Sequence, residues 1–469
     1  MQVVGTSLYR LVRWVLQTAL GFYFARIERF HPERVPRDGP VLFVSNHPNS
    51  VSDAFVIGTS VPRKVNFVAT VRLFRLKPVR WLLTQCGVIP INRVKDDPRA
   101  MRTVLDSFEA CFRVLERGEA IGIFPEGITH DDPQLKAVKT GAARMALELE
   151  HRHGGRLGLH IVPVGLTFSA KEIYRSEVLV NFGEPIRAAN FLPGYPEKKR
   201  DCIHALNGEI EQCIQSLILH LSKLERARIV EAVKRLYFDR LLAGNTVIHE
   251  PVTAKAEELL LTQAIANAVD FTFDNHPERA AAFVRKLDHY ERRLQRLQLS
   301  DEVLAHFPAR QPLVWRSMAW ALLAVMVAPL AAYGWVHRLA PFALIRWAVR
   351  RHARAPGDKT HVSTVSVLAG VAGFGCFYGL FIAIFHQFFG WPATFWYALS
   401  LPVASLVAHY YVRGLRRFAA GCQAALVLMR APLAARQLLD LRSQLIAEIE
   451  AERQEFNRAA GRYERKEGP

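Results

Sequence analysis

The chain has 469 residues, of which 50% are hydrophobic and 22% charged, and its 61 Lys and Arg against 43 Asp and Glu leave a formal charge of +18. This length suggests two or three domains, and the composition excludes wholesale disorder, collagen-like repeats and a small disulfide scaffold. Six scattered cysteines form no CxxC pair, which favours a reducing compartment without a structural zinc. The positive charge favours an anionic partner, namely nucleic acid, an anionic membrane surface or a phosphorylated substrate.

The N-terminal segment, residues 1–29, mixes arginines with apolar residues at helical spacing. This pattern predicts an amphipathic helix in the headgroup region of a membrane, with a helix packed on the following domain as the alternative. Charges interrupt the apolar part and no small-residue cleavage site follows it, so a cleaved signal peptide is not expected.

Short apolar runs alternate with helical stretches over residues 30–197. Strands separated by helices predict an α/β domain with a mixed sheet flanked by helices. Residues 198–312 are helical and rich in charge, which predicts a helical extension. The predicted strands cover residues 41–44, 64–70, 88–91, 120–124, 160–168 and 177–182, and the predicted helices between them cover 97–117 and 141–150.

A histidine follows the first predicted strand. Asn46 and His47 end that strand, and Asp53 comes six positions after His47. A carboxylate there can accept from one imidazole nitrogen and stabilise the charged ring while the other nitrogen takes a proton. The two residues are therefore a candidate general base and its orienting acid.

Other polar residues follow other predicted strands. Arg93 comes after the third strand, and its planar guanidinium suits bidentate phosphate binding. Glu126 and Gly127 stand in a tight loop after the strand at 120–124, and Lys139 precedes a helix N-terminus, which favours anions. The sequence contains no Gly-x-Ser-x-Gly elbow and no Gly-rich nucleotide loop, and His130 with its two following aspartates predicts a solvent loop and no metal site.

These residues fall into four ordered blocks. The sequence resembles the glycerolipid acyltransferase family, which includes glycerol-3-phosphate and 1-acylglycerol-3-phosphate acyltransferases. The resemblance covers residues 30–188 and implies the glycerolphosphate acyltransferase-like fold. The blocks are Asn46-His47 with Asp53, Gly87 with Ile91 and Arg93, Phe-Pro-Glu-Gly at 124–127, and an apolar strand containing a proline at 162–164.

The first block departs from the common family pattern, in which four residues separate His and Asp. Here five residues separate His47 from Asp53, and the usual spacing would place Ser52, which has no carboxylate, at the partner position. A bulged loop can absorb the extra residue. The longer spacing resembles the branch of the family that contains fungal glycerol-3-phosphate and dihydroxyacetone-phosphate acyltransferases.

The resemblance implies transfer of a fatty acyl group from acyl-CoA or acyl-carrier protein to a hydroxyl of glycerol-3-phosphate or 1-acylglycerol-3-phosphate in phospholipid synthesis. In this interpretation His47 is the general base and Asp53 orients it. Arg93 and Lys139 hold the acceptor phosphate. Glu126 and Gly127 shape the acceptor site, although Glu126 can instead support the loop.

The expected partners are a phosphorylated glycerol acceptor, an acyl thioester donor and anionic membrane lipid, with no nucleic acid. No metal is expected, and no cofactor beyond the thioester co-substrate. Two alternatives stay open: a remodelling acyltransferase that acts on a lysolipid without a free phosphate, and a non-catalytic membrane scaffold that binds lipid.

Three apolar stretches follow the helical extension. Residues 317–336, 362–385 and 388–412 contain no Asp, Glu, Lys or Arg, and each can cross a hydrocarbon core of about 30 Å. Arginines precede the second stretch and follow the third, so the positive-inside rule predicts a hairpin with both outer ends cytoplasmic.

The first stretch contains Pro329 and is followed by Pro341, which favours a re-entrant or interfacial helical pair over residues 314–349, with a crossing segment as the alternative. The pair would keep the catalytic domain in the cytoplasm with its thioester donors. The chain is thus predicted to be a multi-pass membrane protein. Its predicted parts are an interface helix (1–29), an acyltransferase domain (30–197), a helical extension (198–312), a membrane region (313–412) and a C-terminal amphipathic helix (413–469).

Overall fold

The computed structural model describes residues 7–91, 101–243, 253–305, 313–352 and 361–464. The chain divides into two compact units. The first contains Met1–His220, Glu250–Leu259 and Ala348–Leu368, and the second contains Leu221–His249, Leu260–Trp347 and Ala369–Pro469. The first unit is therefore built from three separate segments of the sequence.

Strands occur only in the first unit within the described ranges. They are β1 (Arg26–Phe30), β2 (Val41–Ser45), β3 (Val65–Thr70), β4 (Ile89–Ile91), β5 (Ala120–Ile123), β6 (His160–Phe168), β7 (Glu177–Phe182) and β8 (Ile186–Arg187). The helices are α1 (Ser7–Tyr23), α2 (Val51–Ser60), α3 (Lys77–Gln85), α4 (Met101–Glu116), α5 (Gly141–Arg152), α6 (Lys199–Leu217), α7 (Ala227–Ala243), α8 (Ala254–Asn275), α9 (Pro277–Arg296), α10 (Asp301–Ala305), α11 (Leu313–His352), α12 (Val362–Phe388), α13 (Trp391–Arg430) and α14 (Pro432–Glu464).

The sheet has the strand order β1-β7-β6-β2-β5-β3-β4, and β8 pairs with β6. β2 lies parallel to both β5 and β6, whereas β7 and β8 run antiparallel to β6. All five residues of β2 are buried. Leu42 and Val44 pack in a cluster with α5 and α6, and Val41 and Phe43 pack on the other face with α1 and α2. Burial on both faces explains the continuous apolar run of β2, and the predicted mixed α/β sheet with flanking helices is confirmed.

The N-terminal segment differs from the sequence-based prediction of one helix through residue 29. α1 ends at Tyr23, and residues 26–30 form β1 in parallel with β7. The local sequence does not indicate this strand, because a charged residue, Glu28, occupies a buried position. The Glu28 carboxylate accepts the backbone amide of Lys255 (3.1 Å). α1 itself buries Leu20 against the first unit and leaves Leu11 and Trp14 exposed. It therefore has the features of both predicted alternatives, a packed face and an open apolar face.

α11 is one helix of 40 residues, with Pro329 and Pro341 inside it. The predicted break into a helical pair is therefore absent. Proline removes one backbone donor, and neighbouring helices can offset that loss in an apolar environment. Here α11 packs closely on α13 within the second unit: a Cβ added to Gly334 would lie 2.0 Å from the carbonyl oxygen of Ala404.

Two helices of the described chain are long and apolar enough to cross a membrane, Leu322–His352 and Val362–Phe388. The third predicted span, residues 388–412, corresponds to the first half of α13, which is not among these two and stays a prediction. The predicted continuous helix after residue 412 is also interrupted. α13 ends at Arg430 and α14 begins at Pro432, because a proline disfavours helical backbone at the residue before it.

Candidate active site

The carboxyl ends of two neighbouring parallel strands bring the first and third sequence blocks together. Val44 of β2 pairs in register with Ile123 of β5, so the loops that follow both strands leave the same edge of the sheet. His47 comes from the first loop and Phe124 from the second. Their rings stack with centroids 4.1 Å apart and planes at 14°. The stack fixes the orientation of the imidazole against the wall of the site.

His47 and Asp53 form a direct pair. The Nδ1 atom of His47 lies 2.9 Å from Oδ2 of Asp53. The Asp53 side chain has no exposed surface, whereas the His47 side chain remains 16% exposed. The Nε2 atom of His47 has no hydrogen-bond partner within the described ranges. The ring is thus tethered on its inner nitrogen and open on its outer one.

The environment of Asp53 favours a carboxylate only in part. Burial raises the pKa of the Asp53 carboxyl above its ordinary value, and the His47 ring and the backbone amide of Asn49 act in the opposite direction. That amide donates to Oδ2 at 2.8 Å. Asp53 also lies in the first turn of α2, where the helix N-terminus stabilises negative charge. Because the buried Asp53 carboxylate is incompletely solvated, protonation of His47 would create a favourable ion pair between the two side chains.

The extra residue between His47 and Asp53 is absorbed in the loop at Ser50. Ser50 has φ 54° and ψ −136°, a backbone conformation that non-glycine residues rarely adopt. This turn brings Asp53, and not Ser52, to the imidazole. Ser52 is fully buried and its hydroxyl lies 3.0 Å from the hydroxyl of Thr364, at the start of α12.

Glu126 supports the site from inside. Its Oε1 accepts the backbone amide of His47 (2.8 Å), and its Oε2 accepts the backbone amide of Lys136 (3.0 Å) and contacts Nε2 of His130. The Glu126 side chain is buried and that of His130 is 14% exposed. These contacts fit the loop-support alternative for Glu126. His130 is largely shielded in this cluster, so its prediction as a solvent-loop residue is wrong, whereas the two aspartates that follow it are exposed as predicted.

Gly127 and Lys139 are neighbours beside this cluster. Gly127 has φ 67°, and a Cβ at this position would lie 2.4 Å from Nζ of Lys139. Lys139 is exposed, and in the described part of the chain its ammonium forms no ion pair. Arg93 lies outside the described residues. β4, the strand before it, runs parallel to β3 and ends at Ile91.

Two further residues shape the site, and neither was predicted from the sequence to have a role in it. The side-chain amide of Asn46 pairs with the backbone of Leu166 on β6, donating to its carbonyl (2.9 Å) and accepting its amide (2.8 Å). The ammonium of Lys171 donates to the carbonyl of Pro48 (2.8 Å) and pairs with Asp131. Asn46 stood in the first block and could have been proposed as a structural residue. Lys171 carried no local signal, because its partners are more than 30 positions away.

The arrangement suits proton transfer at Nε2 of His47. The imidazole is a base whose Nδ1 atom is held by the Asp53 carboxylate. It lies where the loops after β2 and β5 leave the same edge of the sheet. In the described ranges, no group of three or more His, Cys, Asp or Glu side chains is placed to hold a metal ion.

Comparison with known proteins identifies this region. Residues 26–167 match the family model described as Acyltransferase. Residues 26–167 are therefore similar to this acyltransferase family, and the resemblance based on the four blocks is confirmed.

The relatives of the chain include both glycerol-3-phosphate and 1-acylglycerol-3-phosphate acyltransferases. Glycerol-3-phosphate O-acyltransferase 1 of Saccharomyces cerevisiae is 23% identical over 317 residues, which cover 49% of this chain and 42% of the yeast protein. A chloroplastic 1-acyl-sn-glycerol-3-phosphate acyltransferase of Arabidopsis thaliana is 28% identical over 172 residues, or 36% of this chain and 44% of the plant protein. The 1-acyl-sn-glycerol-3-phosphate acyltransferase of Bacillus subtilis is 25% identical over 201 residues, or 42% of this chain and 91% of that protein. The chain thus spans less than half the length of the yeast and plant relatives.

The two interpretations of Glu126 make different predictions for Glu126→Gln. The amide offers one acceptor oxygen where the carboxylate offered two, so a buried donor loses its partner, at a cost of about 1–3 kcal/mol. We expect a lower midpoint of thermal unfolding and a lower kcat, with the KM for a phosphorylated acceptor within about twofold of wild type.

The matched control is Asp132→Asn, which removes a carboxylate from the same loop but from an exposed pair with Lys136. It should change neither the unfolding midpoint nor kcat substantially. A raised KM at unchanged stability in Glu126→Gln would show instead that Glu126 contacts the acceptor.

Proposed function

We propose that this protein is a membrane-bound O-acyltransferase that moves a fatty acyl group from acyl-CoA or acyl-carrier protein to a hydroxyl of glycerol-3-phosphate or 1-acylglycerol-3-phosphate. The observation that carries the proposal is the 2.9 Å contact between His47 and Asp53 at the end of β2, within the matched acyltransferase domain. The names of the relatives support both acceptors equally.

The proposed reaction is a direct transfer. Nε2 of His47 takes the proton of the acceptor hydroxyl, and the acceptor oxygen attacks the thioester carbonyl carbon. A C–O bond forms, the C–S bond breaks, and the leaving thiolate takes the proton back from the imidazolium. Asp53 accepts from Nδ1–H throughout and stabilises the transient positive charge of the ring. The sequence of steps requires no nucleophile from the protein.

The acceptor phosphate is proposed to bind Arg93 and Lys139. Lys139 presents an exposed ammonium beside Gly127, on the same edge of the sheet as His47. An exposed cation beside a glycine lets a phosphate approach the backbone of the loop. The proposal for Arg93 follows from the second sequence block alone.

The acyltransferase domain is proposed to face the cytoplasm, where thioester donors are found. α1 supports a further contact with anionic lipid, because it exposes Arg10 together with Leu11 and Trp14. The apolar helices α11 and α12 support membrane attachment.

Contacts within the first unit help to decide which helices cross the membrane. Lys255 at the start of α8 forms an ion pair with Glu177 of β7 (2.8 Å), and His361 before α12 contacts Ser50 (2.9 Å). Both ends of the intervening segment, residues 255 and 361, therefore contact the acyltransferase domain. α8 and α9 are too polar to cross a membrane, and α10, with five residues, is too short. These contacts favour an α11 that does not cross completely, although it is one helix and not a pair.

Substitution of the base tests the reaction. His47→Ala should lower kcat about 10²–10⁴-fold with folding intact, because the acceptor loses its proton acceptor. Asp53→Asn should also lower kcat severely. The control His204→Ala removes an exposed histidine of α6 and should leave activity unchanged. The assay uses the full-length protein in detergent, with initial rates and the unfolding midpoint measured for each variant.

The same assay compares acceptors in parallel: glycerol-3-phosphate, dihydroxyacetone phosphate, 1-acylglycerol-3-phosphate and a lysolipid without a free phosphate. Transfer to phosphorylated acceptors alone is expected. A preference for the lysolipid would favour the remodelling alternative, and silence with every acceptor and both thioester carriers would favour the scaffold. Near-wild-type turnover in His47→Ala would refute the proposed base.

Phosphate binding is tested by Arg93→Lys and Lys139→Met. The first keeps the charge but loses the bidentate geometry, and the second loses the charge. Each should raise the KM for the phosphorylated acceptor about tenfold or more and change the KM for the thioester much less. The reverse pattern would assign the residue to the donor site.

Topology is tested by cysteine labelling of intact cells with a membrane-impermeant thiol reagent, after replacement of the six native cysteines. Single cysteines at positions 310 and 356 lie on either side of α11. We expect both to be protected, because both ends of α11 are proposed to be cytoplasmic. Labelling at position 310 alone would show that α11 crosses the membrane.

A further inference from the structure

The first turn of α12 lies against the loop that connects His47 to Asp53. We call residues 46–53 the dyad loop. The hydroxyl of Thr364 donates to the carbonyl of Asn49 (3.3 Å), and that of Ser363 donates to Oδ1 of Asn49 (2.6 Å). The backbone amide of Ser52 donates to Oγ1 of Thr364 (3.1 Å). The two hydroxyls thus bind the dyad loop at Asn49 and at Ser52, on either side of the turn that precedes Asp53.

Thr364 also caps the helix that carries Asp53. The first amides of a helix lack partners within the helix and are usually satisfied by a side chain at the N-cap position. Ser50, the N-cap residue of α2, makes no such bond with its own side chain. Thr364 supplies the acceptor for the Ser52 amide from a position 312 residues further along the chain.

The contact is buried. Asn49, Ser52 and Ser363 have no exposed surface, and Thr364 is nearly as well shielded. In such surroundings an amide or carbonyl that loses its partner has no water to replace it. Asn49 also links the contact to the carboxylate, because its backbone amide donates to Oδ2 of Asp53. A chain of hydrogen bonds therefore runs from α12 through Asn49 to Asp53 and His47.

We propose that Thr364 and Ser363 are positioning residues for acyl transfer. They hold Asn49 and Ser52 so that Asp53 keeps its contact with Nδ1 of His47, and neither of them touches the substrates. This inference rests on the proposed role of the His47–Asp53 pair. It assigns a part of the active site to α12, a helix that lies outside the matched domain of residues 26–167.

Isosteric substitution tests the inference in the full-length protein. Thr364→Val keeps the shape of the side chain but removes its oxygen. We expect kcat to fall about 10–100-fold, since small displacements of a catalytic pair have effects of this size, with both KM values within about twofold of wild type. Thr364→Ser, which restores the oxygen, should recover kcat to within about threefold of wild type.

A matched pair of serines separates positioning from a general loss of packing. Ser363 donates to Asn49, whereas Ser366, which is buried on the same turn, forms no hydrogen bond to the dyad loop in the described ranges. Ser363→Ala should lower kcat, and Ser366→Ala should not. The unfolding midpoint is recorded for each variant. If Thr364→Val is not obtained folded, this pair decides the outcome.

A double variant tests whether Thr364 acts through Asp53. In an Asp53→Asn background, Thr364→Val should lower the residual kcat by no more than about twofold, because the contact that it positions is already lost. If the kcat losses of the two single variants multiply in the double variant, the proposal is overturned. A wild-type kcat in folded Thr364→Val would also overturn it. So would equal losses of kcat in Ser363→Ala and Ser366→Ala. These results all require an active wild-type protein, and an inactive one would instead refute the proposed function.

Discussion

The site is organised around one buried carboxylate. Asp53 has no exposed surface and therefore depends on protein groups for the stabilisation that water would give its charge. Its Oδ2 receives the His47 ring and the Asn49 amide, and its Oδ1 has no hydrogen-bond partner in the described ranges. The positive charge of the Lys171 ammonium also lowers the pKa of the Asp53 carboxyl, in addition to the effect of the His47 ring. The incomplete solvation is consistent with catalysis, because it makes a transient positive charge on His47 favourable.

The constraint on Asp53 extends to the backbone around it. A carboxylate can be held in this way only if the loop before it is rigid, and that loop contains Ser50 in an unfavourable conformation. The rigidity comes from three sides. β2 anchors the start of the loop, Glu126 accepts the amide of His47 from the neighbouring loop, and α12 closes the turn through Thr364. Strain at Ser50 is tolerated because the surrounding contacts are buried and numerous.

The sequence predicted the parts of this arrangement that depend on local pattern. The central strands are continuous apolar runs, and His47 and Asp53 are separated by only six positions, so both the sheet and the pair could be anticipated. Three features escaped because their causes are distant in the chain. Glu28 is buried in β1 by a contact with Lys255, α11 stays intact across Pro329 and Pro341, and Thr364 meets Ser52 across 312 positions. Local periodicity contains no information about such partners.

The discontinuity of the first unit has a practical consequence. A fragment that ended at residue 220 would keep the whole sheet and all four sequence blocks, yet it would lack residues 361–368. Val367, buried beside Val56 and Val180, would leave an apolar surface open, and the amide of Ser52 would face solvent. The first turn of α12, a helix long and apolar enough to cross a membrane, therefore belongs to the packing of the loop that holds Asp53, and a fragment without it would lose these contacts.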